Sequence, residues 1–382
     1  MQSLEEFALN KLDDLQRRHL RRTLSETWRE DGLWIERDGR RLLSFSCNDY
    51  LNLTQHPAVK QAAIAAIERY GVGAGASRLV TGNHPLYAAL ETRLAHIKGT
   101  EAACVFGSGY LANAGIIPVL AGNDDLVLID ELAHACIWAG AQLSHCKAIS
   151  FRHNDVAHLQ ELLERNRSQY PRALIVTDGV FSMDGDLAPL AKLSMLAKRH
   201  DAWLMTDDAH GLGVIGNGHG STVAAGVEVP LQMGTLSKAI GGYGGYLCAS
   251  AAVIDLMRNR ARTLIYSTGL PPATVAAAIA GLDLIERDPD FAAKPVQKAQ
   301  SFTRLTNLTE AQSPIVPVIV GDEEAALSAS RLLADEGFHA AAIRPPSVPQ
   351  GSSRLRLTFT AGHPDDEIER LAGLVRSRIL AR

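Results

Sequence analysis

A chain of 382 residues, 46% hydrophobic and 21% charged, can bury a large core and does not have the composition of a disordered polymer. Its formal net charge of −4 gives no electrostatic reason to expect a nucleic-acid partner, and no run of about 18 apolar residues marks a membrane span. The start, Met1-Gln2-Ser3-Leu4-Glu5-Glu6, is acidic and lacks a signal-peptide core, so a cytoplasmic location is the default expectation.

The first predicted element is an amphipathic helix over residues 4–24, with Leu4, Phe7, Ala8, Leu12 and Leu15 at helical spacing. Its Arg17-Arg18-His19-Leu20-Arg21-Arg22 stretch reads as a solvated basic face. A helix over residues 57–70 leads into Gly71-Val72-Gly73-Ala74-Gly75, which is a loop rather than a nucleotide-binding turn because no strand precedes it. Apolar runs at residues 102–106, 126–129, 148–151, 173–177 and 203–206 then read as short buried strands, with helical patterns at 109–120, 156–166 and 188–200 between them. Such alternation predicts a mostly parallel sheet with helices on both faces, and active sites in such sheets gather at the carboxyl ends of the strands. From about residue 271 the pattern changes to longer helices, then strands at 315–320, 340–343 and 354–359 with helices at 323–336 and 364–380, the makings of a smaller α+β unit.

Chemistry concentrates where the strands end. Trp203-Leu204-Met205-Thr206-Asp207-Asp208-Ala209-His210-Gly211 is a strand closing in two acids and a histidine. About thirty residues on, Met233-Gly234-Thr235-Leu236-Ser237-Lys238-Ala239 leads into the glycine-dense Gly241-Gly242-Tyr243-Gly244-Gly245. A strand-end carboxylate and a lysine in a small-residue loop suit a pyridoxal 5'-phosphate enzyme, in which the lysine holds the aldehyde and the carboxylate keeps the ring nitrogen protonated. Phe106-Gly107-Ser108-Gly109-Tyr110 is either an ordinary strand-to-helix turn or a helix N-terminus cradling a phosphate. His134 follows another strand and could lie over a flat ring, while Ser182 stands in the polar loop Phe181-Ser182-Met183-Asp184-Gly185-Asp186. Gly211-Leu212-Gly213-Val214-Ile215-Gly216 matches a dinucleotide fingerprint in letters only, since Asn217-Gly218-His219-Gly220 follows where a helix is required. Arg354 and Arg356 fall on one face of a late strand, either as edge-strand arginines in solvent or as guanidinium groups for bidentate capture of a carboxylate. The five cysteines show no Cys-x-x-Cys pairing and read as free thiols, and the thirteen histidines include no His-x-x-x-His pair, so no metal site is expected.

Taken together, Gly73-Ala74-Gly75-Ala76-Ser77-Arg78, Phe181-Ser182-Met183-Asp184-Gly185-Asp186, Asp207-Asp208-Ala209-His210-Gly211 and Thr235-Leu236-Ser237-Lys238 resemble the α-oxoamine synthases, a branch of the fold-type I pyridoxal-phosphate enzymes. The resemblance runs from Ser46-Cys47-Asn48-Asp49-Tyr50-Leu51 to Arg356-Leu357-Thr358; Cys47 and Asn52 stand where Ser and Gly are expected. It implies an α/β fold-type I transferase: a helical N-terminal arm at 1–45, a large cofactor-binding domain at 46–270 with a mostly parallel seven-stranded sheet, and a smaller α+β C-terminal domain at 271–382. It also implies roles for particular residues. Lys238 would carry the cofactor as a Schiff base and later move the α-proton, Asp207 would pair with the ring nitrogen, and His134 would stack on the ring. His210 would approach the phenolic oxygen with Ser182 nearby, and Gly109, Tyr110 and Thr235 would hold the phosphate. Ser267 and Thr268, in Tyr266-Ser267-Thr268-Gly269, would reach the phosphate of a partner subunit, which implies a homodimer with shared sites. Arg21, Asn48, His134, Arg344, Ser347 and Arg356 would contact substrate, Arg356 at the amino-acid carboxylate.

Within the family, Ala342-Ile343-Arg344-Pro345-Pro346-Ser347-Val348-Pro349 is most similar to the biotin-pathway branch. That branch condenses L-alanine with a pimeloyl thioester, carried on CoA or acyl carrier protein, and loses carbon dioxide. The alternative within the family is a synthase using glycine and acetyl-CoA, such as a 2-amino-3-ketobutyrate CoA ligase.

Overall fold

A computed structural model describes residues 3–18 and 20–381; His19 of the basic run lies outside the described residues. At the centre stands a seven-stranded sheet in the order Ala102–Phe106, Gly245–Ala249, Leu231–Thr235, Trp203–Asp207, Ala173–Asp178, Leu126–Asp130, Lys147–Phe151. Only Gly245–Ala249 runs against its neighbours, so the sheet is mostly parallel as expected. The inner strands are buried along their whole length, which explains why they read as unbroken apolar runs instead of alternating ones. Alternate residues serve opposite faces. Val127, Ile129, Leu174 and Val176 pack with the helices Gly109–Leu120 and Ala135–Ser144, whereas Leu126, Leu128 and Ile175 pack with Val156–Asn166 and Leu190–Arg199.

Asp130, Asp178, Asp207 and Thr235 are the last residues of four parallel strands, so the sheet delivers three carboxyl groups and a hydroxyl to one edge. The helix Gly109–Leu120 starts beside that edge, capped by Ser108, whose side chain accepts the Leu111 N–H at 3.1 Å.

The first 45 residues are not a helical arm throughout. The helix spans Leu4–Arg17, not residues 4–24, and none of its residues is buried, so no packing extends it through the basic run. Trp28–Glu30, Trp34–Arg37 and Arg40–Ser44 are strands that join Phe338–His339 in a four-stranded sheet. Their turns are Asp31-Gly32 and Asp38-Gly39, every residue of which has positive φ, the hairpin signature of an Asp-Gly pair. A three-stranded sheet of Ile315–Gly321, Ser353–Thr358 and Ala341–Ile343 completes this end of the molecule. The strand expected at 340–343 is found as Ala341–Ile343, and an unexpected strand, Phe338–His339, precedes it, the two pairing in different sheets. Leu43, Phe45, Phe302, Phe338, Leu357 and Phe359 share one core, which ties residues from both chain ends together. Among the described residues no helix is long and apolar enough to cross a membrane.

Candidate active site

Lys238 follows the strand Leu231–Thr235 in a tight turn, closed by the Gly241 N–H donating to the Lys238 carbonyl at 2.9 Å. Gly241 has φ +71° and lies against the backbone of Leu53 and Thr54, so a side chain there would collide with main chain. The turn aims Lys238 Nζ at His210 Nε2, 2.7 Å away. Burial lowers the amine to about 8, with Asp207 pulling the other way. His210 is buried on the short turn after Trp203–Asp207, and burial, reinforced by the charges of Lys238 and Arg356, pushes its imidazole well below the usual range. It is therefore neutral. Its other nitrogen, Nδ1, lies 2.7 Å from the Tyr50 hydroxyl, which burial raises to about 12.

The chain of contacts continues outward. Tyr50 Oη is 3.3 Å from Asn48 Oδ1, and both terminal nitrogens of Arg356 donate to that same oxygen at 3.2 Å. Arg356 Nε donates to the Ser182 carbonyl. On the opposite side, Asp207 is fixed by two donors, Asn113 Nδ2 at 2.7 Å and the Ala209 N–H at 3.0 Å. Asp178 accepts the His134 N–H at 3.2 Å, and burial, with the nearby charge of Asp207 adding to it, holds its carboxyl well above the ordinary range. His134 caps Ala135–Ser144 by accepting the Cys136 N–H at Nδ1, and burial, aided by Lys238, lowers its pKa.

Gly109, Tyr110, His134, Asp207, His210, Thr235 and Lys238 line one cavity of about 180 Å³, together with Cys136, Asp178 and Met233. A larger depression of about 430 Å³, by the helix Leu86–Lys98, holds Glu91 and Arg258, which already pair with each other. Ser182 does not line the cavity, although its carbonyl orients Arg356. Asn48 and Arg356 do not line it either; they stand behind its wall, linked to it through Tyr50 and His210. Ser267 and Thr268 lie in a separate depression beside Arg78 and Tyr87, with Thr268 exposed and bridged to Ser77. Arg21 is exposed; the arm residue that meets Ser347 is its neighbour Arg22, at 3.4 Å from the hydroxyl. Arg344 is half-buried just before Pro345.

Tyr50, Asp178 and Asn113 are among the residues of this site to which the sequence assigns no role. Tyr50 lies in a motif that carries the resemblance, and Asp178 directly follows the strand expected at 173–177, so both have a signal. Asn113 had none, because its partner Asp207 is 94 positions away. Asn52, where Gly is expected, takes the left-handed conformation (φ 56°), which asparagine tolerates, and its Oδ1 accepts the Gly362 N–H at 2.8 Å.

The cavity suits pyridoxal phosphate in its chemistry. It offers a buried amine, a carboxylate locked by two hydrogen bonds, a histidine on the wall and a helix N-terminus at Gly109. Residues 40–375 match the family described as aminotransferase class I and II. The chain is 64% identical to the 8-amino-7-oxononanoate synthase of Beijerinckia indica, over 98% of this chain and 98% of that protein. It is similar in fold to a serine palmitoyltransferase of Sphingomonas wittichii, with TM-score 0.91 and 30% identity over 99% and 97% of the two chains. A structure of SPT with PLP as internal aldimine matches with TM-score 0.88 and 29% identity, covering 97% and 96%.

Proposed function

Because the chain belongs to the class I and II aminotransferase family as a pyridoxal-phosphate-dependent acyltransferase of the biotin-synthesis type, we propose that it condenses L-alanine with a pimeloyl thioester. The products are 8-amino-7-oxononanoate, carbon dioxide and the free thiol carrier, CoA or acyl carrier protein. The observation that carries this choice of substrates is the 64% identity to a named synthase across nearly the whole chain, against 30% to the serine palmitoyltransferase that shares the fold.

Pyridoxal phosphate, when bound, supplies a ring that takes up the electron pair left at the α-carbon. Asp207, pinned by Asn113 and the Ala209 N–H, would keep the ring nitrogen protonated. His134 would cover one face, and His210 with Ser182 would serve the phenolic oxygen. Gly109, Tyr110 and Thr235 would hold the phosphate from this chain. Ser267 and Thr268, away from their own cavity, would serve a second subunit of a homodimer.

Lys238 is the base at the α-carbon. An amine lowered to about 8 is partly neutral near pH 7.5 and so can accept a proton, as a lysine at its ordinary value cannot. After the α-carbon has displaced the sulfur from the acyl group as thiolate, which takes its proton from solvent, and carbon dioxide has left, the same nitrogen returns its proton to the α-carbon. His210 holds the amine on target, and its neutrality spares Lys238 a second positive charge at 2.7 Å. Arg356 would hold the alanine carboxylate, its guanidinium oriented by Asn48 and the Ser182 carbonyl. Arg21, Arg344 and Ser347 would meet the acyl substrate.

The test is a matrix of amino acids and thioesters offered to the purified holoenzyme: L-alanine, glycine and L-serine with pimeloyl-CoA, pimeloyl-acyl carrier protein and acetyl-CoA, with products identified by mass. Turnover is expected with alanine and a pimeloyl thioester. Strong turnover with glycine and acetyl-CoA, and none with either pimeloyl donor, would overturn the assignment.

A further inference from the structure

His153 lies outside the cavity and takes no part in the chemistry above, yet it is the most heavily bonded histidine at the strand ends. Its Nδ1 is 3.0 Å from Asp130 Oδ1, and its Nε2 is 2.8 Å from Asp186 Oδ2. Asp130 is fully buried and ends a strand of the central sheet; Asp186 closes the loop after Ala173–Asp178. A neutral imidazole has one N–H and cannot donate to both carboxylates. Burial acts to lower its pKa, but the hydrogen bonds to Asp130 and Asp186 outweigh this and hold it at about 10. His153 also sets its ring edge-on to Phe181, with centroids 4.4 Å apart.

The loop it grips is a wedge between the central sheet and the small C-terminal sheet. Internally it is closed by the Phe181 N–H to the Asp186 carbonyl at 3.0 Å and the Gly185 N–H to the Phe181 carbonyl at 2.8 Å. On the far side Arg354 donates to the Met183 carbonyl at 3.2 Å and to the Asp184 carboxylate, and Arg356 donates to the Ser182 carbonyl. The Leu187 N–H donates to Gln312 Oε1 at 3.0 Å. One face of residues 181–187 is thus tied to the sheet through Asp186, and the other sets the direction of the Arg356 guanidinium.

We propose that His153 is a positioning residue: by bridging Asp130 and Asp186 it fixes the loop 181–187, and through the Ser182 carbonyl it aims Arg356 at the amino-acid carboxylate. The proposal rests on the reading of Arg356 as the carboxylate site. Its expected signature is a loss of amino-acid affinity with the chemistry largely intact.

The measurement is the spectral titration of holoenzyme with L-alanine, alongside kcat and KM for alanine. His153→Gln is expected to raise the alanine Kd about tenfold, the scale of one charge-assisted hydrogen bond, with kcat and cofactor content close to wild type. Asp186→Asn, which keeps the side-chain shape, should do the same and stands in if His153→Gln does not fold. In an Arg356→Ala background, His153→Gln should add less than about twofold, because both changes act through one contact. An alanine Kd within about twofold of wild type for either variant, while Arg356→Ala raises it, would refute the positioning role; so would full additivity of the two changes. An Arg356→Ala enzyme with unchanged alanine affinity would instead remove the reading of Arg356 on which the proposal stands.

Discussion

The amine of Lys238 faces Nε2 of His210 at 2.7 Å, and it is the histidine's other nitrogen, not a carboxylate, that anchors this contact to Tyr50. When Lys238 is an ammonium it must donate to Nε2, so Nδ1 carries the ring proton and donates to Tyr50, which can then donate to Asn48. The lysine is directed by neutral groups, and its basicity is set by burial, with Asp207 opposing it.

That arrangement has a pH consequence. An amine attacks an aldehyde only when unprotonated, and burial lowers Lys238 from its ordinary 10.5 to about 8. Capture of pyridoxal phosphate by apoenzyme should therefore speed up about tenfold per pH unit below that value and level off above it. Stopped-flow absorbance after mixing apoenzyme with cofactor reads the rate directly. A midpoint near 10 would mean that the cavity does not depress this amine.

Removing the amine separates anchoring from chemistry. Lys238→Ala should still take up cofactor weakly through the remaining contacts, while kcat falls by at least the roughly 10²–10⁴-fold worth of a general base. Borohydride reduction and digestion of wild-type holoenzyme should place the adduct on the peptide containing Lys238. A variant with turnover near wild type, or an adduct on another lysine, would show that a different group does this work.

Arg356→Lys tests geometry apart from charge. The guanidinium makes one bond to the Ser182 carbonyl and two to Asn48, a set that a single ammonium cannot reproduce. Loss of a charge-assisted hydrogen bond is worth about 1.5–3 kcal/mol, so alanine Kd should rise about 10- to 100-fold with a smaller change in kcat. Equal affinity in the lysine variant would mean that charge alone suffices.

Lys98 and Asp208 form a pair with both side chains fully buried, Nζ to Oδ2 at 2.7 Å, and Lys98 also donates to the His219 carbonyl at 2.8 Å. Asp208 further accepts the Ser221 N–H at 3.0 Å. Lys98→Met leaves that carboxylate in the interior without a counter-charge, and should cost about 3–5 kcal/mol of stability. Thermal or urea denaturation gives the value, and Lys98→Met with Asp208→Leu should recover much of it. A single variant as stable as wild type would place the charge balance of Asp208 elsewhere.

The helices Pro57–Tyr70, Gly109–Leu120 and Val156–Asn166 coincide with their sequence expectations, because each begins at a local start signal: Pro57 at the first turn, Ser108 and Asp155 as side-chain caps. The strands of the first 45 residues are also encoded, in two Asp-Gly turns, while the basic run after the first helix has no breaker to mark where that helix stops. His153 stands in none of the motifs that the sequence offers. Its meaning arises from Asp130 and Asp186, which lie 23 and 33 positions away on two other segments.

Order along the chain was enough to determine the class of fold and the kind of cofactor, since buried strands, their terminal acids and the lysine turn are local patterns with local causes. Tertiary structure alone decided who touches whom: Tyr50 with His210 across 160 positions, and Arg356 with Asn48 across 308. The physical reason is that these contacts depend on the lateral order of the strands and on how the small sheet docks against them. Neither is a property of any segment; both follow from how all the buried faces are satisfied at once.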